Sequence, residues 1–265
     1  MKPKRQVIYY HDEKNEEFST AQITPKRIDG NYQYDDTGLG KRLSHVIWYR
    51  MIARPMAFLF LKIKYHHKIV NKDVLKQVKG QGYFLYGNHT HAIADALIPS
   101  MVGFPRDVYV IVHPNNVSMP VLGRITPSLG ALPLPDDMAA VRNFTKAVKE
   151  KIRQKRCVMI YPEAHIWPYY TKIRPFVDTS FRYPVQEKAP VFCLTNTYQK
   201  RRFSKTPRIV TYVDGPFFAD QQKSAKEQKA MLRQQVYETM VKRSNSNTVT
   251  LIEYVKVCEE TGENK

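Results

Sequence analysis

The 265-residue chain predicts an α/β fold: a single domain with a mostly parallel sheet flanked by helices, preceded by an N-terminal amphipathic membrane-contact helical segment. Three observations lead there. Short apolar runs of strand length recur at residues 83–86, 107–114, 157–161, 191–198 and 208–213, and helix-length segments separate several of them. Titratable residues stand just after the runs, where parallel α/β sheets carry their sites. No repeat or linker divides the chain, and its length suits one sizeable core. The expected division is a polar arm over 1–43, the amphipathic segment over 44–68, the sheet domain over 69–245 and a tail over 246–265.

The arm is polar and rich in turn formers such as Asp29, Gly30, Asp35, Asp36, Gly38 and Gly40, which predicts loose order. Ser44 is expected to cap a helix that Pro55 kinks or breaks before the apolar run from Met56 to Leu61. A spanning helix needs about 20 mostly apolar residues, and Arg50, Arg54 and Pro55 interrupt this one. An interfacial segment fits better, with Trp48 and Tyr49 at headgroup depth, residues 58–61 among acyl chains, and Arg50, Arg54, Lys62, Lys64 and Lys68 near anionic lipid. The competing reading is a core helix under the sheet.

The run at 83–86 ends at Gly87 and Asn88, and a helix begins near Ala92. Residues 107–114 form a second strand, 117–126 a short apolar helix carrying Arg124, and 130–135 an extended segment whose prolines disfavour a central place in the ladder. Asp136 and Asp137 start a helix to about Arg156, with Val141, Phe144, Val148 and Ile152 on one face. The strand at 157–161 is followed by Pro162, Glu163, Ala164 and His165. A basic hairpin, 199–205, joins the last two strands, and residues 221–243 are helical.

Forty-two basic against 24 acidic residues give a net charge of +18, which calls for a polyanionic partner: nucleic acid, an anionic membrane surface or phosphorylated substrates. Cys157, Cys193 and Cys258 are far apart and read as thiols of a reducing compartment, with neither a zinc site nor a disulfide framework. The first residues lack the apolar core of a signal peptide, so the expected location is peripheral, on the cytoplasmic face of the cell membrane.

The chemistry concentrates at Y-G-N-H-T-H-A-I-A-D, residues 86–95. A histidine at the end of a buried strand with a carboxylate a few residues on is a general base with its orienting partner. At about 100° per residue, His91 and Asp95 share a helical face, whereas His89 reaches Asp95 only from a turn that precedes the helix. Gly87 and Asn88 favour that turn. Either histidine could instead cap the helix.

This motif, followed about seventy residues later by M-I-Y-P-E-A-H at 159–165, resembles the glycerolipid acyltransferase superfamily that contains the lysophosphatidic acid acyltransferases. The family's first signature is a histidine and an aspartate separated by four residues, usually with asparagine before the histidine. Asp95 is one residue too far from His89 and one too near His91, and Asn88 favours His89. The second signature, a glycine with an arginine six residues on, is half met: Gly130 matches and Asp136 replaces the arginine. In the third, Tyr161, Pro162 and Glu163 match, while Ala164, His165 and Ile166 replace Gly-Thr-Arg. Pro190 echoes the proline of the fourth.

The resemblance covers residues 83–216 and implies transfer of a fatty acyl group from an acyl thioester, acyl-CoA or acyl carrier protein, to a lysophospholipid hydroxyl, foremost 1-acyl-sn-glycerol 3-phosphate, with a glycolipid or other acceptor as the alternative. It implies His89 and Asp95 as catalytic residues, Glu163 and Gly130 at the substrate, and no bound cofactor or metal. Lys172, Arg174 and Arg182 follow Glu163 closely enough to replace the missing phosphate-binding arginines, as do Arg124 and Arg142 from the second region. No G-x-S-x-G, P-loop or G-x-G-x-x-G occurs. A basic nucleic-acid module using Lys200 to Lys205 is the reading from another class, and no recognised nucleic-acid motif accompanies it.

Overall fold

The apolar runs become the middle of one sheet in the computed structural model, which describes residues 6–18, 24–34 and 38–257. The chain runs β1 (Gln6–Tyr10), α1 (Leu39–His45), a π-helical stretch (Val46–Ala53), α2 (Arg54–Tyr65), β2 (Lys68–Val70), β3 (Tyr83–Gly87), α3 (Ala94–Gly103) and β4 (Val108–Val112). Short helices α4 (Asn115–Ser118) and α5 (Leu122–Ile125) lead to β5 (Ala131–Pro133), α6 (Met138–Arg153), β6 (Cys157–Ile160), α7 (Arg182–Glu187), β7 (Val191–Arg201), β8 (Ser204–Phe217), α8 (Ala225–Ser244) and β9 (Ile252–Lys256).

Seven strands pair in the order β2-β8-β7-β3-β6-β4-β5. All neighbours are parallel except β7 and β8, which form the long hairpin. The mostly parallel α/β sheet expected from the sequence is therefore present. β3 is central and buried along its whole length: Phe84 and Tyr86 join a core with Phe144, Val148, Leu232 and Val236, and Tyr83 and Leu85 join the opposite core with Leu61, Ile98 and Val102. Each such side chain contributes about 1.5–3 kcal/mol on burial, so a slip of β3 by one residue would disturb both layers.

Three expectations change. The described parts of the amino-terminal arm are integrated: β1 pairs in parallel with β9, Ile28 and Tyr34 are buried in the main core, and Asp136 accepts from the Ile28 N–H at 2.6 Å. Asp35, Asp36 and Cys258 lie outside the described residues. The helix expected to begin at Ser44 begins at Leu39, and it does not break at Pro55. There the Arg54 N–H bonds the Tyr49 carbonyl, five residues back, and this π-type register makes room for the proline ring, which has no N–H of its own. Ser44 instead meets Ser128 side chain to side chain at 2.9 Å. Finally, the apolar helix expected over 117–126 is two single turns, split around Pro120.

Asp107, fully buried just before β4, fastens the long helix to the sheet. Arg50 at 2.6 Å, Arg54 at 3.4 Å, Arg156 at 2.8 Å and His45 at 3.4 Å surround its carboxylate. Burial opposes ionisation, but the hydrogen bonds from His45 and Arg50 and the charge of Arg156 outweigh it and hold the carboxyl well below the usual range. Arg50 and Arg54, expected beside lipid, thus also hold Asp107 inside the protein.

Candidate active site

Parallel register sets the site. Tyr86 lies opposite Ile160, so residues 88–91 leave β3 beside residues 161–165 leaving β6. A Cβ on Gly87 would sit 2.4 Å from the terminal methyl of Met159 and 3.1 Å from the Tyr161 ring, so Met159 would have to shift to admit a side chain where β3 ends. Asn88 then exchanges two bonds with the backbone of Asn196 on β7, at 3.0 and 2.8 Å, so its side chain prolongs the ladder while the main chain turns away.

In that turn His89 Nδ1 lies 2.9 Å from Asp95 Oδ2. A carboxylate only accepts, so Nδ1 donates and the Nε2 lone pair is left available. Among the described residues none hydrogen-bonds Nε2, and the side chain is 17% exposed while that of Asp95 is 1% exposed. The same Asp95 oxygen takes the N–H groups of Thr90 and His91, both at 2.8 Å, and Oδ1 takes Asn196 Nδ2 at 3.1 Å. Tyr161 stacks on the imidazole at 4.3 Å and its hydroxyl donates to the Asp95 carbonyl. Ring position and tautomer are fixed from three sides.

His91 does a different job. Its Nδ1 accepts from the Ala94 N–H at 3.2 Å, at the start of α3, and Nε2 meets the Tyr65 hydroxyl at 2.9 Å. Burial pushes its pKa down, so the neutral capping form is favoured.

Residues 66–196, just under half of the chain, match the protein family described as Acyltransferase. That stretch, with His89, Asp95 and Glu163 in it, reads as an acyltransferase domain. The fold of the chain is similar to the crystal structure of the 1-acyl-sn-glycerophosphate (LPA) acyltransferase PlsC from Thermotoga maritima, with a TM-score of 0.53 and 17% identity over 78% of this chain and 88% of that one. At that identity the likeness speaks to fold alone. No curated protein matches the chain.

The other expected binding residues of this acyltransferase do not all reach the dyad. Glu163 is buried and its two oxygens accept the His89 N–H at 3.0 Å and the Arg174 N–H at 3.1 Å; it ties the two loops together and touches no solvent-accessible space. Burial pushes its pKa up, against the pull of Arg174. Arg174, 1% exposed, spends its guanidinium on Glu163 and on the carbonyls of Glu163 and His165 while lying over Trp167, so it cannot meet a phosphate. Gly130, at φ +89° and 2.7 Å from the Val108 carbonyl by its would-be Cβ, precedes β5 at the amino-terminal end of the sheet, away from His89. Arg182 stacks on Tyr183 at the start of α7. Lys172, Arg124 and Arg142 are exposed, and Asp136, in the arginine position, holds the arm.

Sequence reasoning missed what stands behind Asp95. Thr211 donates to Asn196 Oδ1 at 2.6 Å, and His67 Nε2 lies 2.8 Å from the Thr211 hydroxyl. Because that hydroxyl already gives its proton to Asn196, His67 must donate to it, and every bond in the series points toward the Asp95 carboxylate. Burial, then the charge of Lys62, pushes His67 down to about 4, so it is neutral here. The one signal was the polar T-N-T at 195–197 inside an apolar strand.

Proposed function

We propose that this acyltransferase moves a fatty acyl group from acyl-CoA or acyl carrier protein to the free hydroxyl of a lysophospholipid, 1-acyl-sn-glycerol 3-phosphate first among candidates, giving phosphatidic acid for phospholipid synthesis. The observation that carries the reading is His89, its Nδ1 held by a fully bonded Asp95 and its Nε2 available. Nε2 takes the hydroxyl proton as the oxygen bonds to the thioester carbonyl carbon. The tetrahedral oxyanion then collapses, the carbon–sulfur bond breaks, and the leaving thiolate takes the proton from the imidazolium that Asp95 stabilises. Cys157 and Cys193 are buried, and burial raises both thiols well above their ordinary range, which supports direct transfer over a covalent acyl-enzyme.

Peripheral attachment to the cytoplasmic face of the membrane is supported by the long helix. Its inner face buries Tyr49, Ala57, Leu61 and Tyr65, whereas Leu43, Met51, Met56, Phe58, Leu59 and Ile63 are exposed. Among the described residues no helix is long and apolar enough to cross a membrane. With Arg174 engaged internally and Asp136 in the arginine position, exposed Lys172 and Arg124 are the candidates for the acceptor phosphate, and the same facts favour a glycolipid acceptor as the second reading.

The test assays the membrane-reconstituted protein with labelled acyl-CoA against lysophosphatidic acid, lysophosphatidylglycerol and a neutral glycolipid. His89→Ala and Asp95→Asn should each lower turnover by at least about 100-fold, and His91→Ala should keep most activity while losing stability. A fully active His89→Ala enzyme would sink the mechanism, and glycolipid turnover without lysophospholipid turnover would replace the acceptor.

A further inference from the structure

A groove of about 610 Å³ runs between α2, α3 and β2, within the roughly 300–1,000 Å³ of typical ligand sites. Phe58 and Leu61, Ile69 and Met101 give it apolar walls. Cations stand at both ends: Arg50, Arg54 and Lys72 at one, Lys62 and Lys68 at the other, and no carboxylate lines it. Arg50, Arg54 and Arg156 share the single carboxylate of Asp107, and Arg54 Nε is buried without a partner. Arg54 and Lys72 both lie over the Phe104 ring, at 5.3 and 5.6 Å. Burial and the charge of Arg54 push the Lys72 pKa down, which marks positive charge there without enough counter-charge.

Neither His89 nor Asp95 lines the groove. Tyr65, buried at the end of α2, bonds His91 and so ties this helix to the turn that carries the dyad. From Arg50 to Lys62 the helix axis advances about 18 Å, room for a long acyl chain. Phe58 belongs both to the groove wall and to the exposed apolar face that continues through Met56 and Leu59, so a chain can enter sideways from a bilayer.

We propose that this groove binds one anionic phospholipid of the bilayer, a chain between α2 and α3 and the phosphate against Arg54 and Lys72, as a lipid site separate from the catalytic dyad. It stands whichever acceptor the dyad uses, and it is tested without turnover or membrane. The full-length protein is titrated with dihexanoyl phosphatidylglycerol or dihexanoyl phosphatidylcholine, both below their micelle concentrations, and stoichiometry is read by native mass spectrometry. One phosphatidylglycerol should bind at least about 10-fold more tightly than phosphatidylcholine, since each nearby cation favours anionic lipid. Lys72→Glu should abolish the preference, and Lys68→Glu, at the exposed rim, should weaken it several-fold with an unchanged circular dichroism spectrum.

Equal affinity for the two lipids, or indifference to both substitutions, overturns the proposal. So does binding of dodecanoate in place of phosphatidylglycerol, which would make the occupant a free fatty acid. A long-chain alkyl-CoA thioether should bind together with the lipid, and mutual exclusion would show the groove to be the donor's own acyl channel.

Discussion

On β7, Asn196 shares a face with Phe192, Leu194 and Tyr198, all packed into the core beneath α2 and α3. An apolar residue would suit that packing, but it would leave Asp95 Oδ1 and the Thr211 hydroxyl without the bonds that Asn196 supplies. Asn196→Leu should therefore cost about 1–3 kcal/mol of stability and lower kcat roughly tenfold with KM little changed, because the loss falls on orientation of the base; steady-state kinetics beside a urea melt check both. His67 adds a pH signature. Its folded pKa of about 4 lies below the ordinary 6.5, so its contribution is fully present above pH 6.5 and is lost as pH falls toward 4. The amount is roughly 3 kcal/mol. His67→Gln should remove that part of the acid sensitivity, seen as a smaller change in urea midpoint between pH 7 and pH 4.5 than in the parent protein.

At the scale of an element, the helix from Leu39 to Tyr65 divides its two faces between the sheet and the surroundings. Replacing Met56, Leu59 and Ile63 by serine removes mostly exposed apolar area, so the triple variant should leave anionic vesicles in a flotation assay while its melting temperature stays within a few degrees. Retained flotation would place the contact elsewhere. The strands at 83–87 and 157–160 and the helix at 138–153 were legible because apolar periodicity reports burial, which the sheet imposes along its whole length. The dyad was legible through Gly87, Asn88 and the six-residue spacing, since all three are local. Arg174 was misread because a buried guanidinium and a phosphate-binding one look alike in sequence; only the fold shows Trp167 and two carbonyls around it. The arm was misread for the same reason: nothing near Ile28 announces a partner at Asp136, more than a hundred positions away.

Across the whole molecule, β1 and β9 bring residues 6–10 beside residues 252–256 and cover a small cluster of Tyr10, Trp167 and Tyr170, with Tyr254 against it. The Trp167 N–H bonds the His89 carbonyl at 3.1 Å and the Tyr169 N–H bonds the Thr90 carbonyl at 2.8 Å, so this cluster sits directly on the turn that presents the base. Deleting residues 250–265 should leave the seven-stranded sheet folded by circular dichroism yet reduce turnover severalfold, and unchanged turnover would show the turn to be self-supporting. During synthesis the partner of β1 emerges only after everything between them has been made, and contacts of such long sequence separation close late. Support of the base is thereby timed to β9: a polypeptide stopped before residue 252 would own every catalytic side chain and still present them on an unbraced turn, so that its acyl transfer would run severalfold slower than that of chains in which β9 has been made.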